Sequence, residues 1–162
     1  MRNRALNGVP AALLHVTRKD ANQLLYESLY SGAPRFNVID VDPYGSIAPF
    51  SASAVQAVAD GGLLCFTSTD MPVLGGNDPA VAFARYGGCT LKAPFLHEMS
   101  LRVLLFHVCS LAAQHRRHVE PLLSLSVDFY VRLFVRRQKI QCLLNALEQE
   151  LPDVPFFYSL DH

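Results

Sequence analysis

The stretch from Phe36 to Leu63 constrains the fold more than any other part of the chain. A β-branched run, Phe36-Asn37-Val38-Ile39-Asp40-Val41, is halted by Asp42-Pro43-Tyr44-Gly45, because proline neither continues a helix nor donates to a sheet ladder. The alanine-rich segment Phe50 to Ala59 then places Phe50, Ala54, Val55 and Val58 on one helical face. Gly61-Gly62 follows, where helices favour a left-handed residue. Leu63-Leu64-Cys65-Phe66-Thr67 resumes as an apolar strand. More than a dozen residues connect the two strands, as a right-handed parallel crossover requires. The expectation is an α/β, doubly wound chain.

The flanks extend this pattern. Leu13-Leu14-His15-Val16 reads as a short strand ending at Asp20, and Ala21 to Tyr30 as a helix with Ala21, Leu24, Leu25 and Leu29 on its apolar face. Ser68 to Asp78 is a polar loop and a candidate site. Leu101, Leu104, Leu105, Val108, Leu111 and Ala112 form a helix stripe that would pack on the sheet. Leu122 to Val127 and Phe129 to Val135 read as a closing antiparallel pair. Ile140 to Glu150 reads as one more amphipathic helix, stopped by Leu151-Pro152.

With 162 residues, 51% of them hydrophobic and 17% charged, the chain is expected to fold around one core and is too apolar for a disordered tail. Fourteen basic residues balance fourteen acidic ones, so any nucleic-acid partner must be met by a local patch rather than a bulk field. Cys65, Cys89, Cys109 and Cys142 stand far apart without zinc spacing, which suits a reducing compartment and gives no expected metal. The start MRNRALNGVP lacks an apolar signal core. Runs such as Val103 to Ala113 read as too short to cross a bilayer, so the expectation is a soluble intracellular protein with no membrane partner.

In an open α/β sheet, ligands bind beyond the carboxyl ends of the strands, where Asp42-Pro43-Tyr44-Gly45 would sit. An acid, a proline carbonyl and an aromatic ring suit an exocyclic base amine. Asp42 and the Pro43 carbonyl can accept its N–H bonds while Tyr44 stacks on the ring. Accepting those hydrogens localises a lone pair that is otherwise delocalised into the ring, and a carboxylate can take the proton. Taken alone, the four residues also make an ordinary turn. Asp20 could accept from an adenine amine or could simply cap a helix. Thr69, Asp70 and Asn77 could line the same cleft. His97-Glu98 has no second ligand at helical spacing and reads as helix surface. His115-Arg116-Arg117-His118 with Arg132, Arg136, Arg137 and Lys139 is the one basic concentration, suited to phosphates or to a solvated helix end. Cys65 and Cys109 fall in apolar periodicity and read as core.

Several motifs in fixed order carry a resemblance. They are Asp40-Val41-Asp42-Pro43-Tyr44-Gly45-Ser46, Asp60-Gly61-Gly62-Leu63-Leu64-Cys65, Thr67-Ser68-Thr69-Asp70-Met71, Tyr86-Gly87-Gly88, His97-Glu98-Met99 and Leu123 through Arg132. Over about Val16 to Arg137 the chain resembles the tRNA guanine-26 N2,N2-dimethyltransferases of eukaryotic type, and Glu150-Leu151-Pro152-Asp153-Val154-Pro155 is similar to the start of that family's C-terminal domain. The resemblance implies a class I, Rossmann-like methyltransferase fold that uses S-adenosylmethionine to place two methyls on the N2 amine of one tRNA guanine. It implies catalytic roles for Asp42, Pro43 and Tyr44, and cofactor contacts from Asp20, Ala21 and Asp42. From the basic concentration, RNA contacts are expected of Arg116, Arg117, Arg132, Arg136 and Lys139, in an intracellular protein for which both nucleus and mitochondrion stay open.

Two departures accompany it. The family's glycine-rich cofactor loop lies upstream of the Val16 region and has no counterpart in Met1 to Pro10. The family's metal-bearing insert is also absent, because Arg137 runs almost directly into Ile140. The chain therefore reads as a fragment or splice form. Residues 1–137 would be the C-terminal part of a methyltransferase domain lacking its N-terminal strands, and 138–162 the start of the next domain. In the family's strand order the missing first strand lies beside Phe36–Val41, so that strand is expected to show an unpaired edge, with marginal stability or aggregation. An inactive chain retaining a tRNA- or partner-binding surface is the rival expectation.

Overall fold

A computed structural model describes residues 2–140. In it, helices α1 (Arg2–Leu6) and α2 (Ala21–Tyr30) precede strand β1 (Phe36–Val41), helix α3 (Ala48–Ala57) and strand β2 (Val58–Ser68). Helices α4 (Met71–Leu74), α5 (Pro79–Tyr86) and α6 (Leu96–Gln114) then lead to strands β3 (Arg117–Val127) and β4 (Tyr130–Lys139). The helix expected after Ile140, the tail beyond it and Cys142 lie outside the described residues.

The strands form one sheet in the order β1-β2-β4-β3. β1 and β2 are parallel through the α3 crossover, and β4 runs antiparallel to both β2 and β3. The crossover and the closing antiparallel pair follow the sequence pattern. β4 does more than close the sheet, since it is inserted between β2 and β3.

Strand alternation sorts the sheet into two unlike faces. Ile39 and Val41 of β1 pair with Leu64 and Phe66 of β2, which in turn face Val135 and Leu133 of β4. All six are buried, and they form the core with Ala54, Val55 and Val58 around α3 and with Leu104, Val108 and Ala112 of α6. The other face carries Val38 and Asp40, then Cys65 and Thr67, then Arg132, Phe134 and Arg136, then Leu123 and Leu125. Val38 is 56% exposed there and Leu123 49%, whereas Cys65 is buried between its neighbours.

Several expectations are corrected. Leu13–Val16 forms no strand: the segment is irregular and Leu13 is exposed. A strand exists only with a ladder partner, and this segment pairs with none among the described residues. The α3 helix runs Ala48–Ala57 and not to Gly61-Gly62, because Val58 takes an extended backbone and begins β2. Gly61-Gly62 therefore lies inside a strand, where a Cβ on Gly62 would meet the Asn37 carbonyl oxygen at 2.9 Å. The Ser68–Asp78 loop contains the last residue of β2 and all of α4. The run His115 to His118 is a helix exit followed by a strand start, with Arg116 at φ +55° making the turn. Finally, α6 spans 19 residues, long and apolar enough by length and composition to cross a membrane. Here it lays Leu104, Val108 and Ala112 into the core.

β1 is the terminal strand of the sheet, and its outer edge carries no ladder among the described residues. That agrees with the expected unpaired edge.

Candidate active site

β1 ends at Val41 and delivers Asp42-Pro43-Tyr44-Gly45 to the carboxyl rim of the sheet. The chain must reverse there, and Gly45 does so at φ +82°, a conformation open to glycine. The loop is then clamped to the end of β2. The Gly45 N–H donates to Thr69 Oγ1 at 2.8 Å, the Thr69 N–H donates back to the Gly45 carbonyl at 3.0 Å, and Ser68 Oγ donates to that carbonyl at 3.0 Å. Below it, the buried Tyr86 hydroxyl bridges Ser46 Oγ at 2.7 Å and the Asp70 carboxylate at 3.1 Å. Arg85 pairs with the same carboxylate at 2.7 Å. Burial pushes the Tyr86 phenol above its ordinary range, and Asp70 adds to the effect.

Three cavities meet at this loop. One of about 450 Å³ follows the free edge of β1 and is walled by Ala21, Leu24 and Leu25 of α2, by Val41 and Phe50, and by Asp42 and Pro43. A second, of about 400 Å³, is polar and lined by Asp42, Thr67, Thr69, Tyr130 and Arg132. The third, of about 460 Å³, lies under Tyr44 with Ser46, Phe50 and Arg85. Asp42 is exposed on the wall between the first two, and the Tyr44 ring is fully exposed. A carboxylate at a rim with an unencumbered aromatic ring two residues on can accept from, and stack against, a planar heterocycle.

The sequence-derived residues are partly brought together. Ala21, Asp42 and Pro43 share one cavity. Asp20 lies beside it as the N-cap of α2, its carboxylate accepting from the Gln23 N–H at 2.9 Å, and it follows a coil rather than a strand. Thr69 lines the Asp42 cavity and clamps the loop, Asn77 lines a neighbouring groove, and Asp70 is turned inward to Tyr86 and Arg85. The basic residues divide. Arg132 sits at the rim, where it donates to Asp40 at 2.7 Å and to Thr67 Oγ1 and lies over the Phe134 ring. The Asp40 hydrogen bond holds its guanidinium pKa above the usual value. Arg117 and Lys139 pair across the strands at the far end of the sheet, and Arg136 faces Glu120 at 3.3 Å. From Arg132 to Arg136 is four residues, roughly 13 Å of strand, so the cations do not form one patch. His97 and Glu98 are exposed, with Glu98 held by Arg102. No group of three metal-ligating side chains occurs among the described residues.

Comparisons with known proteins place the chain in a family. The N2,N2-dimethylguanosine tRNA methyltransferase family matches residues 1–139. The chain belongs to this family. A relative from Mus musculus, tRNA (guanine(26)-N(2))-dimethyltransferase, is 52% identical over 136 residues, which is 83% of this chain and 20% of the relative. The mitochondrial enzyme of that name from Saccharomyces cerevisiae is 46% identical over 119 residues, 72% of this chain and 21% of the relative. Trm1 from Pyrococcus horikoshii, solved with S-adenosyl-L-methionine, is similar at a TM-score of 0.72 and 28% identity, covering 82% of this chain and 35% of that one. The described sheet and helices are thus part of a class I methyltransferase fold. The chain spans about a fifth of the length of the curated relatives it matches.

Thr67 and Tyr130 line the Asp42 cavity and Tyr86 bridges the loop to Asp70, placements to which the sequence motifs that contain them assign no role. Tyr130 and Arg132 alternate on one face of β4, a period visible in the sequence. Their meeting with Thr67 depends on the β2–β4 register, which is not.

Proposed function

We propose that this chain carries the base-recognition side of an S-adenosylmethionine-dependent tRNA (guanine-26 N2) dimethyltransferase. The observation that carries the reading is the clamped loop that holds Asp42 on the wall shared by an apolar cavity and a polar one. Asp42 and the Pro43 carbonyl accept the two hydrogens of the guanine N2 amine, and Tyr44 stacks on the base once it has left its helix. Holding those hydrogens aims the nitrogen lone pair away from the loop. Asp42, being exposed, accepts the proton released as the new N–C bond forms and passes it to water.

When bound, the cofactor would supply an electrophilic methyl on a sulfonium, the S–C bond breaking as the N–C bond forms and the sulfur leaving as a neutral thioether. The cavity beside β1 fits its adenine, because Ala21, Leu24, Leu25 and Phe50 offer apolar walls and Asp42 a polar end. None of the residues lining that cavity is basic, so none would neutralise the cofactor's carboxylate. RNA phosphates would be met by Arg116, Arg117, Arg136 and Lys139 at the far end of the sheet, and Arg132 would stand close to the base. In this reading residues 1–137 are the later part of the methyltransferase domain and 138–162 begin the next. The protein works inside the cell, in the nucleus or mitochondrion.

Replacing the carboxylate tests the reading. Asp42→Ala should abolish methyl transfer to tRNA, a loss of at least the roughly 100- to 10,000-fold that general bases contribute, while leaving tRNA affinity nearly intact. Wild-type rates in that variant would remove Asp42 from the mechanism.

A further inference from the structure

Next to the Asp42 cavity lies a larger groove, of about 730 Å³, between α4, the start of α6 and the β3–β4 turn. Thr69, Met71, Lys92, His97, Asp128 and Phe129 are among its lining residues. Thr69 lines both spaces, and Tyr130 of the Asp42 cavity is the chain neighbour of Phe129, so the two are continuous along the sheet rim.

The groove is built from fixed parts. Thr90 Oγ1 donates to the Val73 carbonyl at 2.8 Å and Ser100 Oγ to the Leu74 carbonyl at 3.0 Å, which pins α4 as the floor. Gly76, at φ +91°, brings its backbone against Leu91-Lys92 so closely that a Cβ would meet the Lys92 nitrogen at 2.4 Å. This contact sets where Lys92 leaves the wall. His97 Nδ1 lies 3.0 Å from Ser126 Oγ, fixing the ring against β3. At the tip of the opposite wall Asp128 adopts φ +46°, and Phe129 stands 70% exposed, its ring T-shaped to that of Tyr130 with centroids 6.3 Å apart.

An aromatic ring held out at a turn gains nothing for the core. Lys92 is exposed and forms no ion pair among the described residues. Stacking rings and unpaired cations in one groove are the means by which proteins hold unpaired nucleotides without reading their sequence. We propose that this groove binds the nucleotide adjoining the target guanine, its base stacked on Phe129 and its phosphate against Lys92. Asp128 stands on the Phe129 wall, where its carboxylate can accept from a base amine and would repel a phosphate placed there. The inference rests on the guanine reading of the Asp42 cavity and adds a second, neighbouring subsite for single-stranded RNA.

The test uses the 162-residue chain and a five-nucleotide single-stranded RNA with a central guanine and 2-aminopurine on either its 5′ or its 3′ side. Stacking quenches 2-aminopurine fluorescence. The wild-type chain should quench one of the two probes. Phe129→Leu should lose the quenching and weaken binding roughly five- to hundredfold, and Phe129→Tyr should restore both. Lys92→Gln should lower the slope of log affinity against log salt by about 0.7. Quenching unchanged in Phe129→Leu, or a salt slope unchanged in Lys92→Gln, would overturn the proposal. A third probe separates it from the reading it rests on: inosine in place of the central guanine lacks the N2 amine. Affinity indifferent to inosine, with Phe129-dependent quenching intact, would sink the guanine reading and spare the groove. Inosine-sensitive binding with Phe129-independent fluorescence would do the reverse.

Discussion

Gly45 and Thr69 hold each other reciprocally: the Gly45 N–H donates to Thr69 Oγ1 at 2.8 Å, and the Thr69 N–H donates to the Gly45 carbonyl at 3.0 Å. The pair joins the loop after β1 to the residue that follows β2, so the position of Asp42, three residues before Gly45, is set by a residue just past the end of the neighbouring strand. Thr69→Val keeps the shape and removes the acceptor, leaving the Gly45 N–H without its partner. An unmet, part-buried donor costs about 1–3 kcal/mol. The expected result is a lower urea midpoint and faster hydrogen exchange at the Gly45 amide. Thr69→Ser should recover both. Unchanged exchange at Gly45 in the valine variant would show that Thr69 does not hold the loop.

Tyr86 supports the same loop from beneath. Its hydroxyl touches Ser46 and Asp70, and its ring is buried. Tyr86→Phe leaves the packing and removes the bridge, with Arg85 remaining as a partner of Asp70. The expected loss is about 1–2 kcal/mol of stability, together with weaker discrimination between guanine- and inosine-containing RNA. A variant equal to wild type in both would confine Tyr86 to core packing.

Much of this arrangement was legible in the sequence, for reasons that can be named. The crossover from Phe36 to Thr67 followed from apolar runs and a proline stop, both local signals. Helical periodicity gave α2 its bounds and located the apolar stripe of α6. What could not be read depended on partners distant in the chain. Leu13–Val16 has the composition of a strand and joins no ladder among the described residues. Gly61-Gly62 looked like a helix end, yet serves a close approach to Asn37 in a strand that begins at Val58. The basic residues looked like one group, but register sends Arg132 to Asp40 and Thr67 and sends Arg117 and Lys139 to the other end of the sheet. Asp42, Pro43 and Tyr44 stand at the rim as expected because a turn at a strand's carboxyl end is a sequence feature. Tyr86 stands in a motif of the sequence, but its role could not be read there because it rests on a contact forty residues away.

The outer edge of β1 predicts how the chain misbehaves. Its strand groups on that side carry no ladder among the described residues, and Phe36 and Val38 are exposed beside them. Such an edge templates pairing with another chain, and a lysine blunts it. Val38→Lys should reduce light scattering at high protein concentration without lowering the urea midpoint. Scattering that persists unchanged would place the sticky surface elsewhere, on Leu123 and Leu125 of the bare sheet face for instance.

The pH dependence of stability should carry the signature of His107. Its ring stands edge-on to Tyr86 with centroids 5.5 Å apart, and its Nε2 is buried without a hydrogen-bond partner among the described residues. Burial lowers its pKa, and a hydrogen bond to the Tyr86 backbone opposes the shift only in part. Above a pH of about 6.5, the ordinary imidazole value, His107 is neutral in both folded and unfolded chains and contributes no slope. As pH falls through that value the unfolded chain takes up the proton first, so stability declines until pH passes below the depressed folded value. The decline is at most about 1.4 kcal/mol per pH unit for one group. His107→Leu has no proton to take up and should flatten the acid side of the curve. Urea midpoints measured from pH 7.5 down to pH 5 on both proteins would show it: parallel curves would mean that another group sets the acid limit.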